Sequence, residues 1–144
     1  MAMQLTEDWK EFLRLLESHS VDYMIVGGIA VAFHGYPRAT GDLDIFYRSS
    51  SADRLAKALQ EFGFPVETAQ LAEERVLAQL GEEPFKIELM NFISGVRFDD
   101  ATTVKGQLDG VPATFISKES LLINKSSTDH AERPRDADDL KHLQ

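Results

Sequence analysis

The folds open to this chain are narrowed first by the stretch Val26 to Phe46, VGGIAVAFHGYPRATGDLDIF. Tyr23 to Val26 is a short apolar run ending in Gly27-Gly28, and Ile29 to Phe33 reads as a short helix stopped by Gly35 and Pro37. Asp42 to Tyr47 then alternates polar with apolar residues, as a half-buried strand does. Strand, glycine turn, helix and second strand follow with little chain to spare, which positions the glycines and the aspartates to face one ligand.

Helices and strands alternate along the rest of the chain. Thr6 is placed to cap a helix with Trp9, Phe12, Leu13 and Leu16 at helical spacing, Glu7 and Asp8 in its first turn, and an end near His19. Ser50 and Ser51 are placed to cap a helix carrying Leu55, Ala58, Leu59 and Phe62, with Gly63 at its C-cap. Leu71, Val76, Leu77 and Leu80 predict a helix over 70–80 closing at Gly81, and Phe85 to Phe92 reads as a strand. Val104 to Leu108 and Val111 to Ile116 flank Asp109-Gly110, a strong hairpin signal. Ser117 to Lys125 and Pro134 to Leu143 read as helices joined by a polar loop, Ser126 to Arg133. This order implies an α/β or α+β domain with a small mixed β-sheet flanked by helices, and the hairpin argues against a purely parallel sheet. A length of 144 residues with 43% hydrophobic content fits one domain over residues 1–144.

On a strand, residues i and i+2 share a face about 7 Å apart, so Asp42 and Asp44 converge while Leu43 and Ile45 turn away. Like charges so placed call for a cation, and hard divalent ions such as magnesium or manganese suit paired carboxylates. Two such ions about 4 Å apart serve many phosphoryl-transfer sites. Gly27 and Gly28 open a helix, where unpaired backbone N–H groups attract anions and glycine lets a phosphate approach closely. Each half alone is also an ordinary turn or a solvated strand face; the combination points to a phosphate cradle beside a metal clamp. The dinucleotide fingerprint does not fit, because the next glycine after Gly28 is Gly35.

The pattern of apolar strand, Gly-Gly, thirteen residues from Ile29 to Gly41, and Asp-Leu-Asp-Ile resembles the signature of the DNA polymerase beta-like nucleotidyltransferase superfamily. More narrowly, GGIAVAFHG followed by RATGDLDI is similar to the small prokaryotic branch that includes minimal nucleotidyltransferases and abortive-infection nucleotidyltransferase toxins, and the tail RPRDADDLKHL resembles the end of those proteins. The resemblance implies a nucleotidyltransferase fold and the transfer of a nucleoside monophosphate from a nucleoside triphosphate to a hydroxyl acceptor. It implies that Asp42 and Asp44 hold two magnesium or manganese ions, with a third carboxylate on a later strand. Glu88 in FKIELMNF is the best match, a glutamate where the family usually has aspartate. Gly27 and Gly28 are the implied triphosphate cradle, Gly28 standing where many relatives have serine.

By the same analogy Lys125, at a helix C-terminus where the dipole alone favours a cation, is a candidate triphosphate ligand. Arg38 and Thr40 are candidate nucleotide contacts in the loop entering the aspartate strand; a surface arginine after a proline is the plain alternative for Arg38. His34 reads as a packing residue rather than a base, and His19, His130 and His142 are too dispersed for a metal cluster. The charges of Arg133 to Asp139 read as a solvated helix face, or as a latch through Asp138 or Asp139.

Composition limits the setting and the partners. The chain has no cysteine, which removes disulfides and thiolate zinc sites and suits the cytoplasm. No apolar segment reaches the roughly 20 residues that cross a bilayer, and the N-terminus lacks a secretion signal. A net charge of −9, from 24 acidic and 15 basic residues, opposes non-specific binding to nucleic acid, so a polynucleotide partner would need a local basic patch. The acceptor is open among a protein, a tRNA and a small molecule such as an antibiotic. A partner chain, as in a toxin–antitoxin pair, or a homodimer is expected to complete the pocket. A non-catalytic antitoxin or assembly partner that keeps the fold is the alternative to an enzyme.

Overall fold

The computed structural model describes residues 6–37, 40–128 and 133–144. Its helices are α1 (Glu7–Ser18), α2 (Gly27–Phe33), α3 (Ala52–Phe62), α4 (Thr68–Leu71), α5 (Lys118–Ser126) and α6 (Pro134–Leu143). Its strands are β1 (Tyr23–Val26), β2 (Asp42–Tyr47), β3 (Leu77–Leu80), β4 (Lys86–Met90), β5 (Thr103–Leu108) and β6 (Val111–Ile116). The strands form one mixed six-stranded sheet in the order β3-β4-β2-β1-β6-β5. Strand β2 runs antiparallel to β1 and parallel to β4, and β1 runs parallel to β6.

Local chemistry explains most boundaries. The Thr6 hydroxyl accepts from Trp9 N at 3.1 Å and caps α1, and Ser117 caps α5 by accepting from Ser120 N. Gly63 ends α3 in the left-handed conformation at φ +98°. Asp109 and Gly110, at φ +50° and +79°, make the tight turn that pairs Leu108 with Val111. Ser51 precedes α3 but does not cap it with its side chain; the hydroxyl accepts from Asp22 N instead and ties the start of β1 to this turn.

The expected helix over 70–80 does not form. Helix α4 stops at Leu71, and Leu77–Leu80 is an edge strand antiparallel to β4. Its leucines, alanine and glutamine are good helix formers, yet the β4 ladder outweighs that weak preference. Asn91 holds the bend before it, accepting from Val76 N at 2.7 Å and donating to Glu73 O at 2.6 Å.

Strand alternation sorts the core into two faces. Tyr23, Ile25, Leu43, Ile45, Tyr47, Ile87, Leu89 and Phe115 pack against Phe12 and Leu16 of α1 and Leu55 and Leu59 of α3. On the opposite face Met24, Val26, Phe46 and Ile116 pack against Ala30 and Val31 of α2, Leu121 of α5 and Leu143 of α6. Along β2 and β4 this second face also carries Asp42, Asp44, Lys86 and Glu88, all half-buried. Among the described residues no helix is long and apolar enough to cross a membrane.

Helix α6 is held by a buried ion cluster. Lys125 Nζ lies 2.7 Å from Asp136 Oδ1 and 3.2 Å from Asp139 Oδ2, with all three side chains no more than 5% exposed. The solvated-face reading of this helix is therefore corrected: Asp136, Asp139 and Leu143, at i, i+3 and i+7, form its inward stripe. Asp138 lies outside that stripe and accepts from the Tyr36 hydroxyl at 2.8 Å. Replacing Lys125 removes the buried cation that two carboxylates share, and breaking such a pair costs about 3–5 kcal/mol. Lys125→Met should lower unfolding stability by that order in urea titration, with limited proteolysis cutting first in α6.

Candidate active site

The parallel register of β2 and β4 sets Asp44 opposite Glu88 and Asp42 opposite Lys86. A ligand oxygen from each of Asp42, Asp44 and Glu88 lies within 4.8 Å of the other two. Lys86 Nζ sits among them, 3.2 Å from Glu88 Oε1, 3.7 Å from Asp42 Oδ1 and 3.7 Å from Glu83 Oε1. Gln79 of the edge strand donates to Glu88 Oε1 at 3.1 Å. Sequence reasoning missed Gln79 because it read β3 as helix.

Burial foremost, then the charge of Glu88, a hydrogen bond with it and the charge of Asp42 push the Asp44 carboxyl up to about 7, opposed by Lys125. Asp42 is also raised, by burial first, with Lys86 opposing. Asp42 Oδ1 and Asp44 Oδ1 are shielded from solvent and take no hydrogen bond among the described residues, Asp42 Oδ1 having only the 3.7 Å ion pair with Lys86. Such orphaned oxygens are unfavourable unless something satisfies them. Three hard oxygen donors with two unmet atoms fit a divalent cation of the magnesium class.

Gly27 is the contact that lets this cluster form. It adopts φ +69°, and a Cβ there would overlap the Asp44 carboxylate. Gly27, Asp44, Glu88 and Lys125 line one cavity of about 210 Å³, together with Asn124 and Asp136. Gly28 is buried behind it in the first turn of α2.

Other expected contacts lie elsewhere. The Thr40 hydroxyl is 3.3 Å from both Asp42 N and Asp42 O, so it braces the start of β2. Arg38 falls outside the described residues. His34 Nε2 lies 2.7 Å from Ile116 O and ties α2 to β6, a packing role. Asp136 was legible only as a charge in the tail, although its spacing from Asp139 and Leu143 carries the signal of an inward face.

The chain belongs to the family described as nucleotidyl transferase of unknown function (DUF2204), which matches residues 5–144. Among solved structures it is similar to the lincomycin-bound lincosamide antibiotic adenylyltransferase LnuA, at 20% identity and a TM-score of 0.58, covering 98% of each chain. It is also similar to an antigenic nucleotidyltransferase-like protein from Paracoccidioides brasiliensis, at 18% identity and a TM-score of 0.52, over 96% of this chain and 77% of that one. No curated protein matches it significantly by sequence. These likenesses establish the fold: a mixed six-stranded sheet with flanking helices, shared with a nucleotidyltransferase.

Two predictions follow from this geometry. Gly27→Ala places an L-residue in left-handed backbone, roughly 1–2 kcal/mol unfavourable, and pushes Asp44 aside; manganese binding by calorimetry should weaken at least about tenfold. The second concerns pH. With its folded pKa raised to about 7, Asp44 keeps a proton that the unfolded chain releases near pH 4, so its contribution is full below about pH 4 and is lost as pH rises towards 7. The opposite-signed contribution of Asp136, whose carboxyl is lowered, is confined to the acid side of that window. In chelator, stability should therefore fall between about pH 4 and 7, and magnesium should restore it. Asp44→Asn should flatten the decline and abolish the magnesium effect.

Proposed function

We propose that the protein is a metal-dependent nucleotidyltransferase that moves a nucleoside monophosphate from a nucleoside triphosphate to a hydroxyl acceptor. The observation that carries this reading is the convergence of Asp42, Asp44 and Glu88 beside Gly27, with two carboxylate oxygens unmet. Family membership supports it. In this reading Asp42 and Asp44 hold the divalent ions, and Glu88 shares in that clamp and orients the acceptor hydroxyl. When bound, those ions supply neutralisation of the triphosphate and of the departing pyrophosphate. In this reading the backbone N–H of Gly27, which lines the cavity, meets the phosphates, Gly28 supports the turn from behind, and Lys125, paired with Asp136 and Asp139, fixes the opposite wall. The acceptor oxygen bonds to the α-phosphorus, the bond from that phosphorus to the bridging oxygen breaks, pyrophosphate leaves and the hydroxyl proton is released.

Compatible acceptors are a small molecule, a protein side chain and a tRNA 3′ end. The similarity to an enzyme that adenylylates a lincosamide antibiotic supports the first, and the net charge of −9 weighs against the last. A non-catalytic antitoxin or assembly partner is the second reading, favoured by Lys86, whose ammonium already neutralises part of the acidic cluster. Calorimetry with the four nucleoside triphosphates, with and without magnesium, separates the two. Binding that requires magnesium and disappears in Asp44→Asn supports the enzyme. Absence of binding by every nucleotide rejects it in favour of the partner, to be sought by co-purification.

A further inference from the structure

The cavity at Asp44 and Glu88, about 210 Å³, is smaller than the range of about 300–1,000 Å³ usual for small-molecule sites. It has room for phosphates and ions but not for a whole nucleotide and an acceptor. A second hollow of about 450 Å³ adjoins it beyond the C-terminal ends of β2 and β4, and Phe92 and Ile93 line both. Its floor is Phe46, which shares the sheet face of Asp44, and one wall is Phe98, edge-on to Phe46 at 5.1 Å between ring centroids.

Two of the rings that line this hollow carry guanidinium groups. The Arg75 guanidinium stacks over Phe92 at 3.9 Å, and Arg48 lies over Phe98 at 4.6 Å. Arg48 is committed to Asp22 and Asp99. Arg97, exposed at the rim, makes no ion pair among the described residues and is available to a ligand's acceptor atoms. Aromatic rings beside guanidinium planes are how proteins hold unstacked bases, because every base has a π-face and carbonyl or ring-nitrogen acceptors along its edge.

We propose that this hollow is the nucleobase subsite: the base lies against Phe92, with its edge towards Arg97, while the triphosphate enters the acidic cavity next door. The inference rests on the nucleotidyltransferase reading. It also accounts for the division of the site into a small charged cavity and a larger aromatic one that share a wall.

The test compares, in magnesium, each of the four nucleoside triphosphates with inorganic tripolyphosphate, which has the phosphates and no base. The wild-type protein should bind its preferred nucleotide about 5- to 100-fold more tightly than tripolyphosphate, the range expected for one stacked base. Phe92→Leu keeps the apolar bulk without the ring, and Arg97→Ala alters an exposed side chain. Both should erase most of that advantage, and Arg97→Ala, at a residue that lines the hollow and not the acidic cavity, should leave tripolyphosphate binding unchanged. Equal binding of nucleotide and tripolyphosphate by the wild type, or an undiminished advantage in both variants, overturns the subsite and leaves the hollow to the acceptor, with the phosphate and metal site standing. If neither tripolyphosphate nor any nucleotide binds with magnesium, the nucleotidyltransferase reading fails and the subsite falls with it.

Discussion

The parallel pairing of β2 with β4 is the constraint on which the rest of this structure depends. It sets Asp44 beside Glu88 and Asp42 beside Lys86. Slipping this register by one residue would reverse which side chains face the core, driving carboxylates into the apolar face and leucines into the cavity. The register is held from the other side of the sheet, where Leu43, Ile45, Ile87 and Leu89 are buried against α1 and α3. Each such side chain contributes about 1.5–3 kcal/mol on burial. Apolar packing on one face therefore fixes carboxylate geometry on the other.

That geometry is electrostatically unfavourable by itself, and the chain absorbs the penalty in three ways. Asp44 retains a proton up to about pH 7, chiefly because it is buried. Lys86 lends partial neutralisation, its own ammonium held protonated by Glu88 above all. Gly27 gives up a side chain so that the Asp44 carboxylate has room. Helix propensity would favour a residue other than glycine at the start of α2, so the choice made there serves the carboxylate rather than the helix.

What was legible in the sequence was whatever depends on near neighbours. The alternation of Asp42 to Tyr47, the Gly27-Gly28 turn, the Thr6 and Ser117 caps and the Asp109-Gly110 hairpin are all local, and the structure has each of them. Leu77–Leu80 escaped because its residues favour helix and only pairing with β4, a partner further along the chain, makes it a strand. Asp136 escaped similarly, and Asp139 was reached only as one of two alternatives for a latch: a charge that faces inward is recognised by its partner, and Lys125 lies on another helix. Glu88 was reached through family resemblance and not through pattern, since nothing in FKIELMNF by itself separates a site carboxylate from a strand residue paired with Lys86. The aromatic hollow was invisible for the same reason, as Phe46, Phe92 and Phe98 meet only once the sheet is formed.

Two buried charge clusters border the same cavity, and they are finished differently. Around Lys125 the ammonium is bonded to two carboxylates, and the exposed Arg133 adds a contact to Asp136 Oδ2 at 3.0 Å. Around Asp44 three carboxylates share one ammonium, that of Lys86, and two of their oxygens, Asp42 Oδ1 and Asp44 Oδ1, take no hydrogen bond among the described residues. A cluster whose charges balance, as two cations and two carboxylates do around Lys125, rigidifies, whereas one with carboxylates in excess is unfavourable unless a ligand completes it. The first cluster therefore belongs to the scaffold, since it joins α5 to α6 and fixes one wall. The second is where unmet coordination accumulates. A stiff charged wall facing an unsatisfied one is the arrangement that would, on the reading proposed above, hold a phosphate chain in line with little reorganisation when the substrate arrives.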